Sequence, residues 1–281
     1  MLGPVSLGGA RARRDRRSRA ARVAGVLAVV LVLTGCASGA VSAAPTSHRS
    51  TPHRTAPTPR PPRPTATPSI PPTPTVVGFD KAALSHDDPA SPWVVVNKPR
   101  ELHPTTFAPD DLVYPDVAYV NRQPMRQQTA AALVAMFQAG KREAGLDFAV
   151  QSAYRSFDSQ TRVYDDDVAR NGQAYADTDT ARPGHSEHQT GLAVDISALP
   201  AQCSLDACFG QTPQGRWLAA NAWRFGFLLR YPADKVAVTG FTYEPWHFRY
   251  IGVPLATELH TTGVTTLEEF FGCPGGESYT G

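Results

Sequence analysis

The chain has 281 residues, 42% of them apolar, and its 27 Lys and Arg against 25 Asp and Glu leave a net charge of +2. So small a surplus, with no basic patch interleaved with aromatics in the part able to fold, excludes a nucleic-acid partner. No internal repeat is present, and a monomer is the expectation.

Residues 11–22 hold a dense cluster of arginines with one acid, Asp15, and an apolar run over 23–33 follows. That run is about half of the ~20 residues needed to span a bilayer, so it suits the h-region of an export signal better than a permanent membrane helix. It ends in Leu33-Thr34-Gly35-Cys36, which resembles a bacterial lipoprotein signal, cleaved before the cysteine and then lipidated on its sulfur. Residues 1–36 are therefore expected to be a signal peptide ending at lipidated Cys36, with the protein anchored to the outer face of the cell membrane. Ordinary secretion, with cleavage after Ala40 or Ala44, is the alternative. The arginines of Arg13-Arg14-Asp15-Arg16-Arg17 make a poor twin-arginine signal, because no apolar residues follow them directly.

Residues 37–79 are rich in proline, threonine and arginine and nearly devoid of large apolar side chains. A segment such as Pro57-Thr58-Pro59-Arg60-Pro61-Pro62-Arg63-Pro64 builds no core and is expected to be a disordered, partly polyproline II spacer. At roughly 3 Å per residue it reaches on the order of 100 Å from an anchor. Its basic character suits contact with anionic wall polymers or lipid head groups, or simply keeps a linker soluble.

Residues 80–281 are expected to form one domain of a size that buries roughly 70% of its unfolded surface. Over 128–144, Leu133, Met136, Phe137, Gly140 and Ala144 share one helical face, and Gly145 ends the helix. Residues 148–152 read as a strand, 159–169 as a helix, and 192–196 as a buried strand. Thr212-Pro213 starts a helix that runs to Gly226, and 227–231 and 246–251 read as strands. Helices come first and strands cluster late, which predicts an α+β fold: a small, mainly antiparallel sheet flanked by helices. Trp217, Trp223 and Phe225 are expected in the core.

The stretch Ser186-Glu187-His188-Gln189-Thr190-Gly191-Leu192-Ala193-Val194-Asp195 and the later Glu244-Pro245-Trp246-His247 carry the chemistry. Catalytic zinc takes three protein ligands and leaves a position for water of lowered pKa. His188, Asp195 and His247 fill the three places. A separation of seven cannot share one face of a strand, so Gly191 is expected to bend the chain between His188 and a strand bearing Asp195. Glu244, three residues before His247, is near enough to take a proton from water and return it to a leaving group. His185 is read as a loop residue beside Pro183-Gly184, and Glu187 as solvated or in outer contact with the site.

Cys203 and Cys208 are expected to pair, since a five-residue offset brings two Cα atoms to ~5–6 Å in a turn. Metal binding by that pair lacks a second pair to complete it. Cys273 is left over.

The motifs Ser186-x-His188-x-x-Gly191-x-Ala193-x-Asp195 and Glu244-x-Trp246-His247 resemble those of the VanY-type D-alanyl-D-alanine carboxypeptidases, zinc peptidases of the larger group that includes lysostaphin-type peptidases and hedgehog domains. The likeness runs from Val94-Val95-Val96-Asn97-Lys98 through Ser152-Ala153-Tyr154-Arg155-Ser156, Gln160, residues 221–227 and Arg230-Tyr231-Pro232 to Leu267-Glu268-Glu269-Phe270. It implies zinc on His188, Asp195 and His247, with Glu244 as base. It also implies that Arg155 reaches the active site, to pair with the substrate's carboxylate or a developing oxyanion, and that Ser186 and Gln160 contact substrate. The implied activity is removal of the terminal D-alanine from peptidoglycan stem peptides ending in D-Ala-D-Ala. An L,D-carboxypeptidase, an endopeptidase on wall cross-links and a non-catalytic, zinc-stabilised wall-binding module are the alternatives.

Overall fold

The computed structural model describes residues 78–279. The expected signal peptide with Cys36, and all of the spacer before Gly78, lie outside the described residues. Phe79, the last residue of the expected spacer, packs against Trp93 and Phe270.

A short antiparallel ribbon, β1 (Leu112–Val113) and β2 (Met125–Arg126), leads into helix α1 (Gln127–Ala144). The apolar positions of α1 recur at helical spacing, and Leu133, Met136, Phe137 and Gly140 are buried. Gly145 takes a left-handed conformation that stops the helix, its N–H bonding the carbonyl of Lys141 while the N–H of Leu146 reaches that of Gly140. At Gly140 a Cβ would overlap the ring of Phe148, so α1 sits on the sheet through its glycine.

Four strands form the main sheet: β3 (Asp147–Ser152), β4 (Ala193–Leu199), β5 (Phe227–Leu229) and β6 (His247–Tyr250). They lie in the order β3-β4-β6-β5, and every neighbouring pair is antiparallel. Successive side chains of a strand point to opposite faces. Val194, Ile196 and Ala198 of β4 and Phe248 of β6 accordingly face α1, and each is almost fully buried, worth on the order of 1.5–3 kcal/mol for the larger side chains. The opposite face of the same two strands carries Asp195 and His247.

Helices α2 (Phe157–Asn171) and α3 (Gln173–Asp179) follow β3. Ser156 caps α2 by accepting from the Ser159 N–H, and Asp158 sits favourably in its first turn. Between β4 and α4 (Pro213–Asn221), Cys203 and Cys208 are joined in a disulfide with Cα atoms 5.6 Å apart, and Cys273 is free. Thr212 caps α4 through the Gly215 N–H, with Pro213 at the first helical position.

The helix expected up to Gly226 divides. Asn221 leaves helical geometry at φ −126°, its side-chain amide bonds the Trp217 carbonyl, and residues Ala222–Phe225 tighten into a 3-10 turn. Trp223 is thereby stacked on His260 at 4.0 Å. The strand expected over 227–231 ends at Leu229, opposite the start of its partner strand, although the Arg230 N–H still bonds the His247 carbonyl. Helices are not confined to the first half of the domain. After the short helix α5 (Val236–Thr239), α6 (Val253–Thr262) and α7 (Leu267–Phe271) follow the last strand and bury Leu255, Leu259, Leu267 and Phe270 against Trp93, Val95 and Ile251.

Candidate metal centre and active-site cleft

The ladder between β4 and β6 places Asp195 directly opposite His247. Opposed residues on one face have Cβ atoms ~5 Å apart, so the two side chains converge without help from any loop. His188 comes from the 3-10 turn Glu187–Thr190, and Gly191, at φ +67°, turns the chain from it into β4. A Cβ on Gly191 would stand 2.9 Å from Cγ of Arg126, so no other residue makes this turn without displacing the ribbon.

The three side chains aim their donor atoms at one point. His188 Nε2 lies 3.3 Å from Asp195 Oδ2, and His247 Nδ1 lies 3.1 Å from Asp195 Oδ1. One atom from each of the three residues lies within 4.8 Å of the others, and all three residues are buried. An ion with bonds of ~2.0–2.2 Å in tetrahedral geometry separates its ligands by about 3.4 Å, so the spacing fits a divalent cation. Asp195 Oδ1 is buried without a hydrogen-bond partner, an orphaned acceptor that a cation would satisfy. The ring of His188 is oriented by a 2.7 Å bond from Nδ1–H to the carbonyl of Ala153, leaving the Nε2 lone pair free. Burial lowers the pKa of His188. At His247 burial also acts downward, but the carboxylates of Asp195 and Glu187 overcome it and push the ring up to about 9.

Glu244 lies on the turn entering β6, with Oε2 3.7 Å from His247 Nδ1. Its N–H is held by the Tyr231 carbonyl at 3.1 Å. Burial raises its carboxyl to about 8; His247 opposes the rise and Asp195 adds to it. A carboxyl whose proton affinity is matched to neutral pH suits a group that accepts and returns a proton.

Arg155 lines the same cleft, which has a volume of about 320 Å³. Its Nη1 donates to Gln160 Oε1 at 2.9 Å and its Nη2 to Ser152 Oγ at 3.1 Å, while its backbone N–H bonds the His188 carbonyl. Each terminal nitrogen carries a second hydrogen, so the planar fork keeps donors for a ligand. Burial lowers its pKa, opposed by Asp195 and Glu244.

Ser186 is buried and lines the cleft. Gln160 does not. It is fully buried, accepts from Arg155 and donates to the Ala181 carbonyl at 2.7 Å, so its amide orients Arg155 and has no free face for substrate. His185 stands outside the donor set, with Nδ1 3.0 Å from the Asn97 carbonyl. Glu187 is not solvated: it is 2% exposed, and Arg230 and Arg249 reach its carboxylate at 2.7 and 2.9 Å. Sequence reasoning gave neither arginine a role, although Arg230 lies in a stretch that carries the family likeness. Arg249 had a signal, since a residue two places after His247 on a strand shares its face. Tyr231, from the same stretch and likewise given no role, lines the cleft with its ring 4.7 Å from that of His247.

The family model described as VanY, D-alanyl-D-alanine carboxypeptidase, matches residues 122–253. The putative carboxypeptidase YodJ of Bacillus subtilis is 41% identical over 189 residues, which cover 66% of this chain and 68% of that protein. Among solved structures, the LdcB LD-carboxypeptidase superposes with a TM-score of 0.61 at 40% identity, covering 66% of this chain and 88% of that one. A VanY D,D-pentapeptidase from a VanB-type resistance cassette, in complex with Zn(II), gives 0.53 at 33% identity, covering 63% and 97%.

Proposed function

Because the chain belongs to the VanY family of D-alanyl-D-alanine carboxypeptidases, we propose that it is a zinc peptidase removing the terminal D-alanine from peptidoglycan stem peptides that end in D-Ala-D-Ala. The observation that carries this reading is the convergence of His188 Nε2, Asp195 and His247 Nδ1 beside the carboxyl of Glu244. Two imidazoles and one carboxylate are a donor set suited to zinc, and the relative solved with Zn(II) supports that choice.

Bound to His188, Asp195 and His247, zinc supplies a Lewis acid for the scissile carbonyl and a water of lowered pKa. Glu244 takes a proton from the attacking water as the C–O bond to the carbonyl carbon forms. The same carboxyl gives the proton to the amine as the C–N bond breaks, which frees D-alanine. Arg155 offers its fork to the terminal carboxylate or to the oxygen that gains charge. Ser186 and Tyr231 complete the wall beside it.

Incubating the purified protein with stem peptides and weighing the products tests the reading. Loss of one alanine from the pentapeptide is the expected result. Turnover of tetrapeptides alone would place the chain with L,D-carboxypeptidases, a reading favoured by the LdcB superposition. Cleavage of cross-linked dimers would make it an endopeptidase, and a zinc-loaded protein without turnover would be a wall-binding module. Arg155→Ala should keep the metal and lose ~3 kcal/mol of transition-state stabilisation, on the order of 100-fold in rate. A fall mainly in kcat assigns the guanidinium to the oxyanion, and a rise mainly in KM assigns it to the carboxylate. Lysine should restore only part, and an unchanged pair of constants would remove Arg155 from the mechanism.

The sequence before Gly78 supports a lipid anchor on Cys36, with the enzyme outside the membrane on a basic spacer. Cys36→Ala should then yield unlipidated, misprocessed protein. Wild-type protein found wholly in the medium, beginning after Cys36, would refute the anchor.

A further inference from the structure

Around Glu187, beside His247 at the wall of the cleft, four buried charges meet. Glu187 Oε2 lies 3.3 Å from His247 Nε2, while Glu187 Oε1 accepts from Arg230 Nε at 2.7 Å and from Arg249 Nη1 at 2.9 Å. Arg230 in turn donates twice to Glu268, at 2.9 and 2.6 Å, and Glu268 also accepts from Asn97 Nδ2 at 2.8 Å. Both arginines, both glutamates and Asn97 are at most 2% exposed, and the two positive charges match the two negative ones. These contacts join segments far apart in the chain: the Asn97 turn, the 3-10 turn before β4, the end of β5, β6 and α7. They also give a use to Asn97, Arg230 and Glu268, which the hydrolytic chemistry leaves idle.

We propose that Glu187 is a positioning residue for the metal centre, one that fixes the ring of His247 so that Nδ1 faces the ion. The inference rests on the metal-site reading above. A carboxylate only accepts, so the nitrogen facing Glu187 must carry the hydrogen and Nδ1 is left as ligand. The division of labour within the carboxylate matters. Oε1 serves the two arginines and Oε2 serves the imidazole, so both oxygens are needed as acceptors. An amide has one acceptor and one donor. In Glu187→Gln either the arginines lose their acceptor or the NH2 confronts the Nε2–H of His247, donor against donor.

Two measurements test this. The first uses wild-type protein loaded with an NMR-active cadmium isotope, reading couplings to the imidazole nitrogens. Coupling at Nε2 of His188 and Nδ1 of His247 is expected. Coupling at Nε2 of His247 would overturn the proposal while leaving the metal site intact, and coupling to neither ring would overturn the site reading itself. The second is zinc affinity by competition with a chromophoric chelator, alongside unfolding of the metal-free protein. Glu187→Gln should bind zinc roughly 10- to 100-fold more weakly, the scale for a group that orients a ligand. Glu268→Gln removes an equally buried charge from Arg230 without touching His247 and should stay within about threefold of wild type. Equal loss in the two variants would mean that the network only holds the fold, and unchanged affinity in Glu187→Gln would refute the positioning role.

Discussion

Glu244→Gln should leave the protein folded and able to hold its metal while turnover falls by roughly 100- to 10,000-fold, the range for loss of a positioned general base. The substitution keeps the shape of the side chain and removes its ability to take a proton. Burial already pushes the Glu244 carboxyl up to about 8, because a buried site disfavours the charged form. A neutral amide therefore escapes the penalty that burial places on the charged carboxylate, and the unfolding temperature of the variant should stay close to that of the wild type. Activity measured at equal zinc content checks the claim. Turnover within about tenfold of wild type would pass the role to another group. Glu187 is a poor candidate, since Arg230 and Arg249 overcome the effect of burial and hold its carboxyl well below the usual range. Asp179, which also lines the cleft, would be the next residue to replace.

Asp195→Ala should abolish both metal retention and activity. Asp195 stands between the two imidazoles, at 3.3 Å from one and 3.1 Å from the other, and its removal leaves two ligands where three are needed. His188→Ala and His247→Ala should behave alike. Metal content after dialysis, set beside the circular dichroism of each variant, separates loss of the site from loss of the fold. Stoichiometric zinc in purified His188→Ala would mean that another group completes the site, with His185 the first residue to replace.

The ligands and the base were legible because their constraints are local. A seven-residue interval broken by Gly191 and a three-residue interval before His247 each fit one short piece of backbone. The surroundings of Glu187 were not legible, because its partners lie 43 and 62 residues away and a pairing over such distances leaves no mark on either segment. Gln160 shows the same blindness from the other side: its helical position was plain, but not that its amide would be consumed by Arg155 and Ala181. The α+β architecture followed from the order of elements, yet α7 went unread although Thr266 and Glu269 stand at capping-box spacing at its start, with Thr266 Oγ1 accepting from the Glu269 N–H and donating to its carboxylate. With only five residues, α7 has too little apolar periodicity to announce itself, and its burial depends on Trp93 and Val95 from the far end of the domain.

Asp195 and His247 are opposed rungs of one ladder, and their immediate neighbours Val194 and Phe248 are opposed rungs facing the core. A slip of β6 by one residue against β4 would bury His247 among the apolar side chains and turn Phe248 out into the cleft beside Asp195. The geometry of the metal centre therefore cannot decay by degrees. It inherits the all-or-none character of the folding transition, and its memory resides in backbone hydrogen bonds instead of in the ion. Protein stripped by a chelator should keep the hydrogen-exchange protection of both strands and take the metal back at once, with no refolding step between.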